Sequence, residues 1–144
     1  MAEVSTYLNF EGNTEEAFNF YAQAFGTEIL GIMRMGDMPL MEGQPPVPDE
    51  LKNLVINIAL RILDGHMLMG TDSVEGMGPK YVQGTDVSIC LMPENRAEAD
   101  KLFAALSDGG EVFMPMEEQF WGDYYGTFAD KFGKQWMINC AEKR

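Results

Sequence analysis

The sequence predicts an α+β fold of two βαβββ modules, in which a mixed sheet forms a cup and the helices lie on its outer face. Three observations predict it. Two amphipathic segments open with the same capping pattern, alternating apolar runs flank each of them, and the whole arrangement recurs in the second half of the chain. The 144 residues suit a single domain, 1–144, assembled from a module 1–78 and a module 79–144.

The elements follow in order. Thr6 to Phe10 alternates and reads as a strand. Asn13-Thr-Glu-Glu16 reads as a capping box: the Asn13 side chain accepts from first-turn amides and Glu16 reaches back to the Asn13 N–H. Ala17, Phe18, Phe20, Tyr21, Ala24 and Phe25 then recur at helical spacing until Gly26 stops the helix, and a strand starts at Ile29. Gly36 to Asn53, with Pro39, Pro45, Pro46 and Pro48, reads as a loop over one end of the sheet. Leu54 to Ile62 and Met67 to Asp72 flank the tight-turn dipeptide Asp64-Gly65, and Ser73 to Gly84 links the modules.

The second half repeats the design. Asp86 to Met92 is the strand, Asn95-Arg-Ala-Glu98 the capping box, and Ala99, Leu102, Phe103 and Leu106 the apolar stripe. Gly109-Gly110 closes that helix, a strand starts at Glu111-Val112, and Tyr125 to Asp130 and Gln135 to Ala141 flank a turn at 131–134. Asn13, Glu16, Ala17, Phe20 and Tyr21 correspond to Asn95, Glu98, Ala99, Leu102 and Phe103 at a constant offset of 82. Eight strands with two helices leave one face of the sheet uncovered, so that face is expected to curl into a cleft or meet a partner.

Composition bounds the function. Ten basic against 23 acidic residues give a net charge of −13, a field that repels nucleic acid and anionic membrane and draws in cations. No apolar run approaches the ~20 residues of a membrane-spanning helix. The opening residues lack a basic start and an apolar core, so export is not expected. Cys90 and Cys140 sit in apolar runs and read as buried free thiols of a reducing cytoplasm. The single His66 excludes a site that needs two His ligands from one chain, and its place after the Asp64-Gly65 turn reads as surface.

Tyr7-Leu-Asn-Phe-Glu-Gly-Asn13, Glu16-Ala17, Phe20-Tyr21 and Phe25-Gly26 resemble the opening of the PhnB-like proteins of the glyoxalase/bleomycin-resistance (vicinal oxygen chelate) superfamily. Asn57 to Asp72 looks like their third and fourth strands. Phe120-Trp-Gly-Asp-Tyr-Tyr-Gly126, Asp130-Lys-Phe-Gly133 and Trp136-Met-Ile-Asn139 look like their C-terminal signature. The resemblance implies the glyoxalase/bleomycin-resistance fold and a homodimer. In metal-using members four cup-facing side chains, typically His and Glu, hold a divalent ion. Those positions fall here on Thr6, Asn57, Asp86 and Met137, a poor donor set, so no metal and no cofactor is expected. Some relatives carry a ubiquinone-precursor methyltransferase label. No glycine-rich strand–turn–helix for a dinucleotide-like cofactor is present, and methyl transfer is set aside.

Strand alternation supplies the remaining candidates. Leu54, Ile56, Ile58, Leu60 and Ile62 are expected under the helices, with Val55, Asn57, Ala59 and Arg61 on the cavity wall. Asn57 either orients a ligand carbonyl or hydroxyl or bonds a neighbouring strand; Arg61 pairs with a ligand anion or with an acid. In the second module Val87, Ile89 and Leu91 face the helix, and Asp86, Ser88 and Cys90 face the cup. Asp86 is the candidate general base or cation anchor. Cys90 has no His or helix N-terminus to activate it. Trp121, Tyr124, Tyr125 and Phe128 form an aromatic cluster that stacks on a planar or cationic ligand or seals a seam between modules or subunits. Met33, Met35, Met38, Met41, Met67 and Met69 add adaptable apolar lining. The expected function is metal-independent binding or sequestration of a small molecule. The alternative is a metal-dependent lyase, isomerase or dioxygenase acting on a small oxygenated substrate.

Overall fold

The computed structural model describes residues 2–39 and 41–142, and each half of the chain builds one four-stranded mixed sheet with one helix. The halves separate as Met1–Tyr81 and Val82–Arg144. The first contains β1 (Thr6–Phe10), α1 (Thr14–Phe25), β2 (Ile29–Arg34), β3 (Val55–Ile62) and β4 (His66–Asp72). Its strands run in the order β1-β4-β3-β2, with β1 parallel to β4 and the other pairs antiparallel. The second contains β5 (Ile89–Leu91), α2 (Arg96–Ser107), β6 (Glu111–Glu118), β7 (Tyr124–Ala129) and β8 (Gln135–Cys140). Its order, β5-β8-β7-β6 with β5 parallel to β8, repeats the first.

In the first unit Ala17, Phe18 and Tyr21 of α1 are fully buried over Ile58, Leu60 and Leu68. Phe18 meets Phe10 and Tyr21 edge-on, at centroid separations of 6.2 and 5.6 Å. Gly70 makes that docking possible: a Cβ there would stand 2.6 Å from the Phe18 ring. In the second unit Ala99, Leu102 and Leu106 of α2 are buried with Phe128, Trp136 and Ile138, and Gly126 leaves equivalent room for Phe103.

The two helices do not begin in the same way. Asn95 caps α2 as expected, its side chain accepting from the Glu98 amide at 2.7 Å. Asn13 makes no cap hydrogen bond. The buried Asp72 carboxylate takes its place, with Oδ1 accepting from the Thr14 amide (3.1 Å) and hydroxyl (2.6 Å) and Oδ2 from the Val55 amide (2.8 Å). A side chain from the end of β4 thus satisfies one donor of the first turn, the Thr14 amide.

Alternation fails at the start of β3. Met33 pairs with Asn57 and Arg34 with Val55, so Ile56 is an extra residue in the ladder. The bulge turns Val55 to the buried face beside Ile58 and leaves Ile56 half-buried, the reverse of the expected phase. The strand expected over Asp86 to Met92 shrinks to Ile89–Leu91. Upstream of the Ile89–Trp136 pair, the partner chain is already the 130–134 turn, where the Lys134 amide is committed to Asp130 Oδ1. Val87 is accordingly 75% exposed instead of facing the helix.

One ion pair ties the edge strand β2 to α1. Arg34 donates twice to Glu15, at 2.9 Å each. This bidentate bond first, and the guanidinium charge with it, hold the Glu15 carboxyl below the usual carboxylate range, while burial acts in the opposite direction. A depressed folded pKa contributes stability above the unfolded value of about 4.3, and that contribution is lost as pH falls through the folded value. Glu15→Gln is therefore expected to lower stability at pH 7 by at most about 1 kcal/mol, given the partial exposure of both side chains, and to match the parent at about pH 3. Urea unfolding at the two pH values measures this. Gly70→Ala is expected to cost about 1–3 kcal/mol in the same assay, with Gly12→Ala, which meets no neighbour, as the comparison for backbone strain alone.

Candidate functional site

Because each helix covers one side of its sheet, the opposite side of each sheet is the surface available to a ligand. In the first unit register defines that side. Tyr7 pairs with Met69, Met69 with Ala59, Ala59 with Gly31, and Asn57 with Met33. Tyr7 is 46% exposed and its hydroxyl donates to the Ile56 carbonyl at 3.3 Å, a group that the bulge leaves available. Asn57 lies on this face, half-buried. Arg61 also lies here, exposed, and forms no ion pair with an acid among the described residues. Its guanidinium donates to the Gly65 carbonyl at 2.6 Å and closes the hairpin turn.

Thr6 does not share this face. It stands in register with buried Leu68, so it points to the α1 side, and its hydroxyl lies 2.8 Å from Nε2 of His66 at the exposed end of the sheet. The cup-facing position assigned to Thr6 is occupied by Tyr7, one residue on.

In the second unit the helix-free side carries Cys90, Met137 and Thr127 in one register row and Tyr125 beside Asn139 in another. Trp121 meets the Tyr125 ring edge-on at 5.6 Å, and Asn139 donates to Asp123 at 2.9 Å. The loop between β6 and β7 sets this up. Gln119 and Asp123 close it by a backbone bond, and Gly122 takes a φ of +96° that L side chains avoid.

The expected four-ring cluster divides between two faces. Tyr124 turns to α2, where its hydroxyl donates to Asp100 at 2.6 Å and the Arg96 guanidinium lies over its ring. Phe128 is fully buried against Phe103. Only Trp121 and Tyr125 remain on the helix-free side, a division that follows from strand alternation between residues 124 and 125.

Asp86 and Ser88 precede β5. Asp86, expected on the cup-facing side of a strand, lies instead in an exposed bend as a solvated carboxylate. Ser88 is exposed and makes a 3.5 Å contact with the Gln135 side chain. Cys140 is buried as expected, but Cys90 is exposed. Neighbouring groups nevertheless desolvate the Cys90 thiol enough to push its pKa up, which keeps it a weak nucleophile at neutral pH.

The donors do not fit a divalent ion. A hydroxyl turned to the helix side, a carboxamide, a carboxylate in an exposed bend and a thioether offer little to zinc, nickel or iron. Among the described residues no group of three or more His, Cys, Asp or Glu gathers where it could hold a metal. No helix among them is long and apolar enough to cross a membrane.

Comparison with known proteins places this geometry. Residues 2–139 match the family model described as 3-demethylubiquinone-9 3-methyltransferase. The crystal structure of protein PA1353 from Pseudomonas aeruginosa is 33% identical, covers 100% of both chains and superposes with a TM-score of 0.82. The PhnB protein from Bacillus cereus is 28% identical over 97% of this chain and 100% of its own, with a TM-score of 0.72. A glyoxylase/bleomycin resistance protein/dioxygenase domain from Frankia sp. EAN1pec, 12% identical, shares the fold over 99% of this chain and 93% of its own, with a TM-score of 0.65.

The two thiols are expected to separate cleanly in a disulfide-exchange titration. One equivalent, Cys90, should react in the native protein, slowly at pH 7 and faster as pH rises past the ordinary thiol range, because only the thiolate attacks. Cys140 should react only in denaturant, and two fast equivalents in the native state would contradict its burial.

Proposed function

The chain belongs to the PhnB-like family described as 3-demethylubiquinone-9 3-methyltransferase, within the glyoxalase/bleomycin-resistance/dioxygenase superfamily, and from that membership we propose that it binds and holds a small molecule without a metal ion. The observation that carries the reading is the helix-free side of the second sheet. It presents Trp121 and Tyr125 in contact, with Met137, Thr127 and Cys90 on the adjoining row. Aromatic faces and a flexible thioether suit an apolar or cationic guest, and Thr127 and Asn139 add polar groups that orient one. On the first sheet, taken by itself, Asn57 lies with Met33 and Met69 on the helix-free side, a polar group in an apolar setting.

The family description names a methyl transfer, and the reading proposed here does not rest on it. The segment joining β1 to α1 is Glu11-Gly12-Asn13, a turn with one glycine rather than a phosphate-cradling loop. The rival is the metal-dependent lyase, isomerase or dioxygenase, for which Asp86 would be the anionic ligand.

A thermal-shift screen of apolar and cationic small molecules in the presence of EDTA is expected to find ligands that raise Tm. Trp121→Leu should remove the shift. Folding of the variant can be followed through Trp136, which is buried and donates to Asp130 at 2.8 Å. One tightly held divalent ion per chain, lost together with ligand binding in Asp86→Ala, would overturn the proposal in favour of the enzyme.

A further inference from the structure

The corner between Trp121 and Tyr125 is walled by two aromatic faces and flanked by carboxylates, and the geometry points to a binding site for an organic ammonium cation. This assignment rests on the small-molecule reading above and narrows it to a ligand class.

The rings stand 5.6 Å apart with their planes at 69°. An edge-on pair of this kind leaves a corner in which a guest touches both π-faces, and each face carries the negative lobe of the ring quadrupole. Phe120 lies 5.1 Å from Trp121 at 89° and supplies a third ring at the rim. Trp121 is 47% exposed, so its indole can be reached from solvent.

Two acids bracket Tyr125. On one side its register partner Asn139 donates to Asp123 Oδ2 and so holds that carboxylate beside the ring. On the other, its register partner across β6 is Glu117. The neighbouring Glu118 turns to the opposite side, where Arg96 donates to it at 2.8 Å and lies over Tyr124. Alternation thus sends the arginine and its partner acid to α2, while Asp123 and Glu117 stay with the Trp121–Tyr125 corner.

A neutral guest would gain nothing from the charge of the two carboxylates beyond a hydrogen bond, and an anion would be repelled by them and by a chain of net charge −13. A cation bearing methyl or methylene groups satisfies both features. Its apolar surface meets the rings, while its charge meets the quadrupoles and the acids.

Choline and its uncharged isostere 3,3-dimethylbutan-1-ol test the assignment, with binding read from the Trp121 indole N–H resonance in the full chain. Choline is expected to bind about tenfold tighter than the alcohol at low salt, a margin that narrows as salt screens the acids. Asp123→Asn leaves Asn139 an oxygen to bond and removes only the charge, so it should reduce the preference to about twofold without unfolding the chain. Trp121→Leu should abolish binding of both probes, as judged from the remaining resonances. Equal affinity for choline and the alcohol would overturn the cation assignment and leave small-molecule binding standing. Silence from both probes would overturn it too, and the EDTA-resistant thermal shift then reports separately on the broader reading.

Discussion

Much of the first unit depends on one buried carboxylate. Asp72 sits at the end of β4, and its two oxygens accept from the first helical amide, the hydroxyl on that same residue, and the first amide of β3. Burying a carboxylate costs several kcal/mol, and hydrogen bonds to a charged acceptor return about 1.5–3 kcal/mol each, so three of them offset the cost. What they secure is geometric. They fix where α1 starts over the sheet, and they satisfy the first amide of β3, next to the bulge at Ile56. Thr71 and Tyr7 complete the set, bonding the Val55 and Ile56 carbonyls. Without these partners the bulge would leave buried backbone groups unpaired.

The second unit reaches the same end by a looser route. The first amide of α2, on Arg96, is also met by an acid from just beyond the fourth strand, Glu142, at 2.9 Å. Asn95 shares the task there, and Arg96 adds bonds to the Glu142 carbonyl and to Glu118. Both helices are therefore pinned at their N-termini by the end of their own sheet, and both leave the opposite side of that sheet uncovered.

Much of this was legible in the sequence. Helix positions, the hairpin at Asp64-Gly65 and the repeat of the modules all follow from capping, spacing and turn residues, because those signals are local. Asn13 reads as a cap as well as Asn95 does, but only Asn95 takes the extended backbone, φ −140° and ψ 161°, from which its side chain reaches the Glu98 amide, whereas Asn13 sits at φ −121° and ψ 24°. The other failures have a common form: each depends on a partner distant in sequence. Ile56 alternates correctly on paper, but the register with Met33 and Arg34 makes it the bulged residue. Asp86 and Ser88 look like strand, but β8 has no backbone left to pair with them once Asp130 has claimed the turn amides. Thr6 and Tyr7 exchange roles because the parallel register with β4, invisible in β1 alone, decides which of them faces α1.

The same dependence on register explains where chemistry resides in the second unit. Residues 117, 118, 124 and 125 form two acid–aromatic pairs that are near copies in sequence. Alternation sends Glu118 and Tyr124 to the helix, where Arg96 and Asp100 engage them and they become structure. Glu117 and Tyr125 go to the uncovered side, where Trp121 and the Asn139–Asp123 pair are their company. The helix-side pair shows the chemistry this arrangement favours, since the group lying over its ring is a guanidinium 4.8 Å from the centroid. On the uncovered side the ring and the acid are already in register, and a cation from solution would stand to Tyr125 as Arg96 stands to Tyr124.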